Sequence, residues 1–247
     1  MAAESVRFPT AGSLSGILDV LETDDDFREL VAGDVEEPES AVDPAITVGV
    51  PEGLRPALAA GVAGGRPVVL VVASGREAEE TVEAIRSWYS GDPDEVAQLE
   101  AWETLPHERL SPRADTVASR MAVFRRLRHP KTGSALFGPI RILVMPVRSL
   151  IQPVVAGLGD IEPLVFAKGG ELALDEASRR LVENAYTRVD LVMDRGEFAV
   201  RGGIIDVFPP TLPHPVRIEF FGDEIDTIKE FHASDQRTYG EDLDMVW

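Results

Sequence analysis

The chain has 247 residues, of which 44% are hydrophobic and 27% are charged, the composition of a globular protein of one or two domains. It contains no cysteine, which excludes a disulfide framework, a thiolate nucleophile and a cysteine-based zinc site. Its net charge of −19 argues against nucleic acid as the main partner of this piece, because Lys and Arg contacts to phosphate dominate DNA binding.

Residues 1–45 are predicted to form an acidic leader with one short helix. Eleven acidic residues lie between Asp19 and Asp43, against one basic residue, Arg28. A short amphipathic helix before most of this block is predicted by the spacing of Leu14, Ile17, Leu18 and Leu21. Like-charge blocks are usually solvated, so we interpret the leader as solvated and partly mobile. The alternative is an acidic strip that shields a basic surface elsewhere.

Residues 46–153 alternate between strand and helix patterns, which predicts an α/β domain with a parallel sheet and helices on both faces. Short apolar runs bounded by Pro and Gly predict buried strands at 46–50, 68–73 and 140–145. Apolar residues at helical spacing predict helices over 76–89 and 117–127. Near Pro153 the pattern changes to antiparallel alternation. We therefore expect a smaller strand-rich α+β domain over residues 154–247.

Four arginines surround the apolar stripe of the helix predicted at 117–127, namely Arg120, Arg125, Arg126 and Arg128. This cluster is a candidate contact to DNA phosphates. Basic residues opposite an apolar stripe more often form the solvated face of a helix, and the net charge opposes DNA binding. We therefore favour a solvated face.

The segment from residue 197 to residue 231 is predicted to form strands joined by tight turns at Gly202-Gly203 and Gly222-Asp223. In the strand at 216–221, alternate residues are aliphatic or aromatic and share one face. The opposite, outward face of that strand is then expected to carry Arg217, Glu219 and Phe221. Exposed arginine and aromatic side chains are enriched at protein interfaces, so this face is a candidate binding surface.

Three motifs in this half of the chain resemble the second domain shared by the UvrB excision-repair helicases and the transcription-repair coupling factors. They are Tyr-x-Arg at 186–188, Arg201-Gly202, and RIEFFGDEID at 217–226. A fourth motif, AWETLPHERLSP at 101–112, resembles the coupling factors rather than the helicases. The resemblance extends over residues 46–247, and it indicates the N-terminal region of the coupling-factor family.

The resemblance implies that the first domain is like a P-loop NTPase, but with a degenerate phosphate loop. In the helicases the loop G-x-x-x-x-G-K-[ST] follows the first strand and cradles phosphates. At that place this chain has Gly49, Gly53, Arg55 and Pro56, with Arg-Pro where the Lys-Ser/Thr pair belongs. Proline supplies neither a hydroxyl nor an N–H group. We expect an ordinary strand-to-helix turn there that binds no nucleotide.

The resemblance also assigns contacts with the damage-recognition ATPase UvrA to five residues, namely Arg188, Arg201, Arg217, Glu219 and Phe221. From their chemistry we expect the arginines to bind acidic groups of UvrA, Phe221 to be an apolar anchor, and Glu219 to orient Arg217 or meet a cation. The helicases have an arginine at Ala199, so one of their contacts is expected to be absent. The alternative is a solvated sheet face with a self-satisfied Arg-Glu pair.

Two functions follow from the resemblance. The first is a UvrB-homology module of a coupling factor, which recruits UvrA to stalled RNA polymerase. The second is a fragment of the UvrB helicase itself, whose tyrosine-rich hairpin inserts between DNA strands. The whole chain has three tyrosines and none lies between residues 102 and 120. The sequence therefore favours the coupling factor.

The resemblance implies that the full-length protein is an ATP-dependent DNA translocase, a hydrolase with a helicase-type motor that uses ATP and Mg²⁺. RNA polymerase and duplex DNA would bind to parts C-terminal to this chain. The chain itself is expected to be non-catalytic and to hold no cofactor or metal, because it has no HExxH pair and no G-x-S-x-G elbow. It has no signal peptide and no apolar run of membrane-spanning length, so we expect a cytoplasmic protein without a membrane partner.

Overall fold

The computed structural model describes residues 14–32, 47–104, 111–131 and 138–247. The rest of the predicted leader, residue 46 and part of the 101–112 motif lie outside these ranges. The chain divides into two compact units, of which the first comprises Met1–Trp102 and Ala122–Gly159. The second comprises Glu103–Met121 and Asp160–Trp247. A parallel sheet in the first unit and a strand-rich sheet in the second agree with the predicted order of folds.

The first unit is built around a three-stranded parallel sheet in the order β1–β3–β2. None of the helices in the described ranges is long and apolar enough to cross a membrane. The elements in chain order are α1 (Ser15–Leu21), α2 (Asp25–Ala32), α3 (Arg55–Gly65), β1 (Val68–Val72), α4 (Gly75–Trp88), β2 (Val96–Gln98), α5 (Ala114–Arg128, divided between the units), β3 (Ile142–Pro146) and α6 (Val147–Ile151).

Both faces of the central strand β3 are buried. Ile142 and Val144 pack in one apolar cluster with residues of α3 and α4. Leu143 and Met145 pack in a second cluster with Val123 of α5. This arrangement confirms the prediction of helices on both faces. It does not hold for β1, where Val69 and Val71 are exposed, so the prediction that this strand is buried on both faces is wrong.

Helix α4 begins where the sequence supplies a reciprocal cap. The Ser74 hydroxyl accepts a hydrogen bond from Glu77 N at 3.2 Å, and the Glu77 carboxylate accepts one from Ala73 N at 3.0 Å. Two otherwise unpaired backbone donors are satisfied in this way. The capping residues fix the exit of β1 into α4, in agreement with the helix predicted at 76–89.

The short helix predicted in the leader is confirmed as α1, and one side of it is packed against the first unit. Leu18 is buried in a cluster with Ala57, Ala60 and Trp88 of α3 and α4. The sequence did not predict α2, which follows closely and whose Phe27 packs against the same cluster. The apolar side of the described leader, residues 14–32, therefore packs against the core of the first unit.

The strand predicted at 46–50 is wrong for the described residues 47–50, which have no strand partner. They lead into a single 3₁₀ turn at Glu52–Leu54 and then into α3, with Pro56 in its first turn. Gly49 and Gly53 have open space where a side chain would lie, and neither has a positive φ. Residues 47–50 therefore do not provide the strand that precedes a phosphate loop.

The second unit is a six-stranded sheet in the order β10–β9–β8–β7–β6–β5, beside a two-stranded ribbon of β11 and β4. All neighbours in the large sheet are antiparallel except β5 and β6. Its elements are β4 (Phe166–Ala167), α7 (Leu174–Glu183), β5 (Thr187–Arg188), β6 (Glu197–Arg201), β7 (Ile204–Val207), β8 (Val216–Phe221), β9 (Glu224–Phe231), β10 (Thr238–Tyr239) and β11 (Met245–Val246).

One face of the large sheet, the inner face, is packed against α7 and the ribbon. Its core consists of aliphatic and aromatic residues from every long strand together with Ala177 and Leu181 of α7, namely Phe198, Ile205, Val207, Val216, Ile218, Ile225 and Ile228. The hairpin turns predicted at Gly202 and Gly222 are confirmed, with φ values of +58° and +66°. These angles favour glycine, which has no Cβ to clash. The turns thereby set the register of the strands, and this register aligns the residues on the opposite, outer face of the sheet.

Candidate protein-interaction face

The outer face of the large sheet is defined by two rows of residues that run across four strands. The first row is Ala199, Asp206, Arg217 and Lys229, and the second is Arg201, Ile204, Glu219 and Thr227. Residues two apart on a strand share a face, so Phe221 extends this face beyond Glu219. The register shifts between Glu219 and Phe220, a bulge that bends the sheet next to Phe221.

Four of the five predicted site residues lie on this face: Arg201, Arg217, Glu219 and Phe221. Phe221 is 82% exposed and Glu219 is also exposed, as expected from the alternation in β8. An exposed phenylalanine on a sheet whose other face is a complete core contributes nothing to that core. It is available to a partner protein.

Arg217 lies on the outer face, as predicted, but its guanidinium is paired within the chain. Its guanidinium donates two hydrogen bonds to the Asp206 carboxylate, at 2.7 and 2.9 Å. Asp206 is 2% exposed, and the side chain of Arg217 is 20% exposed. This hydrogen-bonded pairing raises the pKa of the Arg217 guanidinium above its usual value. The partner is Asp206 on the neighbouring strand rather than Glu219.

The Asp206–Arg217 pair is also enclosed by apolar and amide groups. The Arg217 guanidinium carbon lies 5.1 Å from the centroid of the Phe231 ring, a cation–π contact. Its Nη1 donates to the Gln236 carbonyl at 3.4 Å. Arg217 is therefore a structural link between β7, β8 and the segment after β9, and its guanidinium is paired with the Asp206 carboxylate within the chain.

Part of the outer face is covered by residues 189–194, the 189–194 loop, which the sequence analysis did not assign. Val192 is fully buried in a cluster with Ala199, Phe208 and Phe231 on this face. The covered part includes Ala199, which is buried against Val192, so a longer side chain at this position would meet the loop.

Arg188, the fifth predicted residue, lies on the edge strand β5 in register with Phe198 and is exposed. It is not in either row of the outer face. Arg188 and Arg201 nevertheless line one open groove, together with Val189, Asp190 and Val200. Arg201 Nη2 donates to the Asp190 carbonyl at 2.6 Å, which leaves the rest of its guanidinium available. The groove thus presents two cations at the end of the outer face.

Comparison with known proteins identifies the family to which this chain is related. Residues 164–246 match the UvrB interaction domain family. Over 196 residues the chain is 48% identical to the transcription-repair-coupling factor of Mycobacterium bovis, covering 79% of this chain and 16% of that relative. The same factor of Escherichia coli is 36% identical over 147 residues, 59% of this chain and 12% of that relative. This chain belongs with the transcription-repair-coupling factors.

The UvrB alternative has weaker support. The UvrABC system protein B of Clostridium botulinum is 42% identical over 112 residues, which is 43% of this chain and 16% of that relative. The coupling-factor similarity extends well beyond this span. The chain covers 16% of the length of the mycobacterial coupling factor that it matches. It is a UvrB-like module within that family of longer proteins.

The arginine cluster of α5 is not a free basic face. Arg120 is completely buried. Arg126 donates to the carbonyls of Asp94, Gly138 and Pro139, and burial lowers the pKa of its guanidinium. Two of the four arginines are therefore committed to the fold. The interpretation as a solvated helix face is wrong for these two, and neither is available to DNA phosphates.

Proposed function

We propose that this module recruits UvrA to the coupling factor and that the outer face of its large sheet, with the adjoining groove, is the UvrA-binding surface. The observation that carries the proposal is Phe221, which is 82% exposed on the same face as Arg201 and Glu219. These residues lie within the span that matches the UvrB interaction domain. Exposed aromatic and arginine side chains are the residue types that dominate binding energies at interfaces.

Each side chain has a distinct role in this proposal. Phe221 enters an apolar pocket of UvrA, while Arg188 and Arg201 form charge-assisted hydrogen bonds with carboxylates of UvrA. Glu219 lies on the same face, next to Phe221, and meets a cation of UvrA. Arg217 acts mainly by positioning β8, since its guanidinium is paired with the buried Asp206 carboxylate.

Calorimetric titration of the chain with purified UvrA tests the proposal. Phe221→Ala should weaken binding at least thirtyfold, because truncating an interface hot spot costs about 2 kcal/mol or more. Arg201→Ala should weaken it and also reduce its salt dependence, because one charge pair is removed. The matched control is Val182→Ala, an exposed apolar residue on α7 of the same unit. If the Phe221 and Arg201 variants bind UvrA as tightly as the parent chain does, the outer face is not the binding surface.

For the whole protein we propose the activity of an ATP-dependent DNA translocase, with ATP and Mg²⁺ as its cofactors. RNA polymerase and duplex DNA would bind to parts of the protein outside this chain. The support is the similarity to transcription-repair-coupling factors along most of this chain. Full-length protein should release a stalled polymerase from DNA only when ATP is hydrolysed. Release with a non-hydrolysable analogue would contradict this.

We further propose that the first unit is a degenerate relative of P-loop NTPase domains and binds no nucleotide. The parallel sheet between helices is the supporting similarity. Arg55 and Pro56 replace the phosphate-binding lysine and hydroxyl residue of such loops. Titration of this chain with Mg-ATP should give no saturable heat at sub-millimolar nucleotide. Stoichiometric micromolar binding that is lost on changing Arg55 would overturn this proposal.

A further inference from the structure

The 189–194 loop exposes two large apolar side chains beside the predicted site. Leu191 is 45% exposed and Met193 is 47% exposed, whereas Val192 between them is completely buried. Val192 alone of the three supplies the packing onto the sheet. The outward direction of Leu191 and Met193 is therefore not explained by the core of this unit.

Side-chain hydrogen bonds hold the loop backbone at three points. At its end, the Glu197 carboxylate accepts from Met193 N and Asp194 N, both at 2.9 Å. In its middle, Gln236 Nε2 donates to the Val192 carbonyl at 3.1 Å. Near its start, Arg201 Nη2 donates to the Asp190 carbonyl. A surface loop fixed in this way presents its exposed side chains in one arrangement, which lowers the entropy lost on binding.

Gln236 is held in an unusual conformation for this contact. Its φ is +62°, in the left-handed region that non-glycine residues seldom adopt. The same amide nitrogen also donates to the Ala233 carbonyl at 2.8 Å, and the Gln236 carbonyl accepts from Arg217. Gln236 thus connects the 189–194 loop with the Asp206–Arg217 pair. Backbone strain of this kind persists where the surrounding contacts require it.

We propose that Leu191 and Met193 form a second, apolar part of the partner-binding surface, and that Gln236 positions it. This inference rests on the proposed UvrA-binding function. The loop is continuous with the predicted site, because Asp190 and Arg201 line the same groove and are hydrogen-bonded to each other. The partner surface is apolar opposite Leu191 and Met193, and carries carboxylates opposite the groove arginines. Apolar anchors bordered by charged groups are typical of specific protein interfaces.

The test compares the double variant Leu191→Ser/Met193→Ser with the parent chain in titrations with purified UvrA at several salt concentrations. We expect at least tenfold weaker binding with an unchanged salt dependence, because apolar area is lost while every charge remains. Val182→Ser is the control, since it removes an exposed apolar side chain from α7 and should not change affinity. Near-ultraviolet circular dichroism verifies that each variant keeps the parent fold.

The outcomes separate this inference from the proposed function. If the parent chain does not bind UvrA, the proposed function fails and the inference fails with it. If Phe221→Ala and Arg201→Ala weaken binding but the double variant binds like the parent, only the inference is refuted. Weakening by Val182→Ser to the same extent would also refute it, because the effect would then be unspecific.

Gln236→Asn tests the positioning role separately. Asparagine tolerates the left-handed backbone but is one methylene shorter, so its amide no longer reaches the Val192 carbonyl. We expect amide exchange in the 189–194 loop to accelerate and UvrA affinity to fall several-fold, with protection in β6 to β8 retained. Unchanged loop exchange and unchanged affinity would show that Gln236 does not position the loop.

Discussion

Arg217→Ala is predicted to destabilise the second unit, and the pairing with Asp206 sets the size of the effect. Removing the arginine leaves a carboxylate that is 2% exposed without its two charge-assisted hydrogen bonds. Removing one partner of a buried ion pair costs about 3–5 kcal/mol. Because the Arg217 side chain is 20% exposed, water reaches part of the site, and we expect about 3 kcal/mol.

The assay is thermal unfolding of the full chain, combined with amide exchange in β7 and β8 to assign the loss to the second unit. A cost of about 3 kcal/mol lowers the Tm of a unit of this size by about 12–24 °C. Arg188→Ala is the matched control, since it removes an exposed arginine from the same sheet and should leave the Tm unchanged. The double variant Asp206→Asn/Arg217→Ala should recover part of the loss, because no unpaired charge remains buried.

A Tm for Arg217→Ala within 2 °C of the parent, with unchanged exchange in β7 and β8, would refute this reasoning. The prediction also governs how binding data are interpreted. Loss of UvrA binding by Arg217→Ala does not identify a contact, because the face that carries Glu219 and Phe221 is disturbed at the same time. Variants at Arg201 and Phe221 do not have this ambiguity.

Three further predictions follow from other parts of the chain. Burial raises the pKa of Tyr89 to about 12 and that of Tyr186 to about 12. Spectrophotometric titration should therefore show both phenols ionising well above pH 10. The stability that the two phenols contribute should be intact below pH 10 and should be lost as the pH rises towards 12. Gly159→Ala should destabilise the first unit by about 1–3 kcal/mol in denaturant unfolding, because a Cβ would lie 2.7 Å from the Phe124 carbonyl oxygen, whereas Gly64→Ala should not. Hydrogen bonds from two lysines lower the pKa of Asp242. NMR titration of its carboxyl resonance should therefore give a pKa below the usual range, and this pKa should rise in 1 M salt.

The parts of the fold that could be predicted are those in which one local pattern matches the tertiary environment. Helix α4 has an apolar stripe and a complete cap, and β8 alternates between a core face and an open face. The rows of the outer face follow from that alternation once the turns at Gly202 and Gly222 fix the register. Phe221 and Glu219 were therefore placed correctly from the sequence.

The errors arise where a long-range partner decides the outcome. Residues 47–50 have a strand-like sequence, but no neighbouring strand pairs with them. The pairing of Arg217 with Asp206 was missed because alternation gives the direction of a side chain and does not give its partner. A signal was present in the sequence: Asp206 is a lone carboxylate within the aliphatic run Ile204–Phe208, and a buried charge requires a counter-charge on an adjacent strand. The 189–194 loop has no periodicity, so no pattern predicted that Val192 would cover the sheet.

The exposed valine face of β1 leads us to expect that the tendency of this chain to aggregate depends on pH. Among the described strands β1 lies at the edge of its sheet, and Val69 and Val71 form a hydrophobic strip beside unpaired backbone groups. At neutral pH a net charge of −19 keeps separate copies apart by electrostatic repulsion. As the pH approaches the isoelectric point of about 4.6, the repulsion disappears while the strip remains unchanged. We therefore expect this chain to aggregate more readily as the pH falls towards that value.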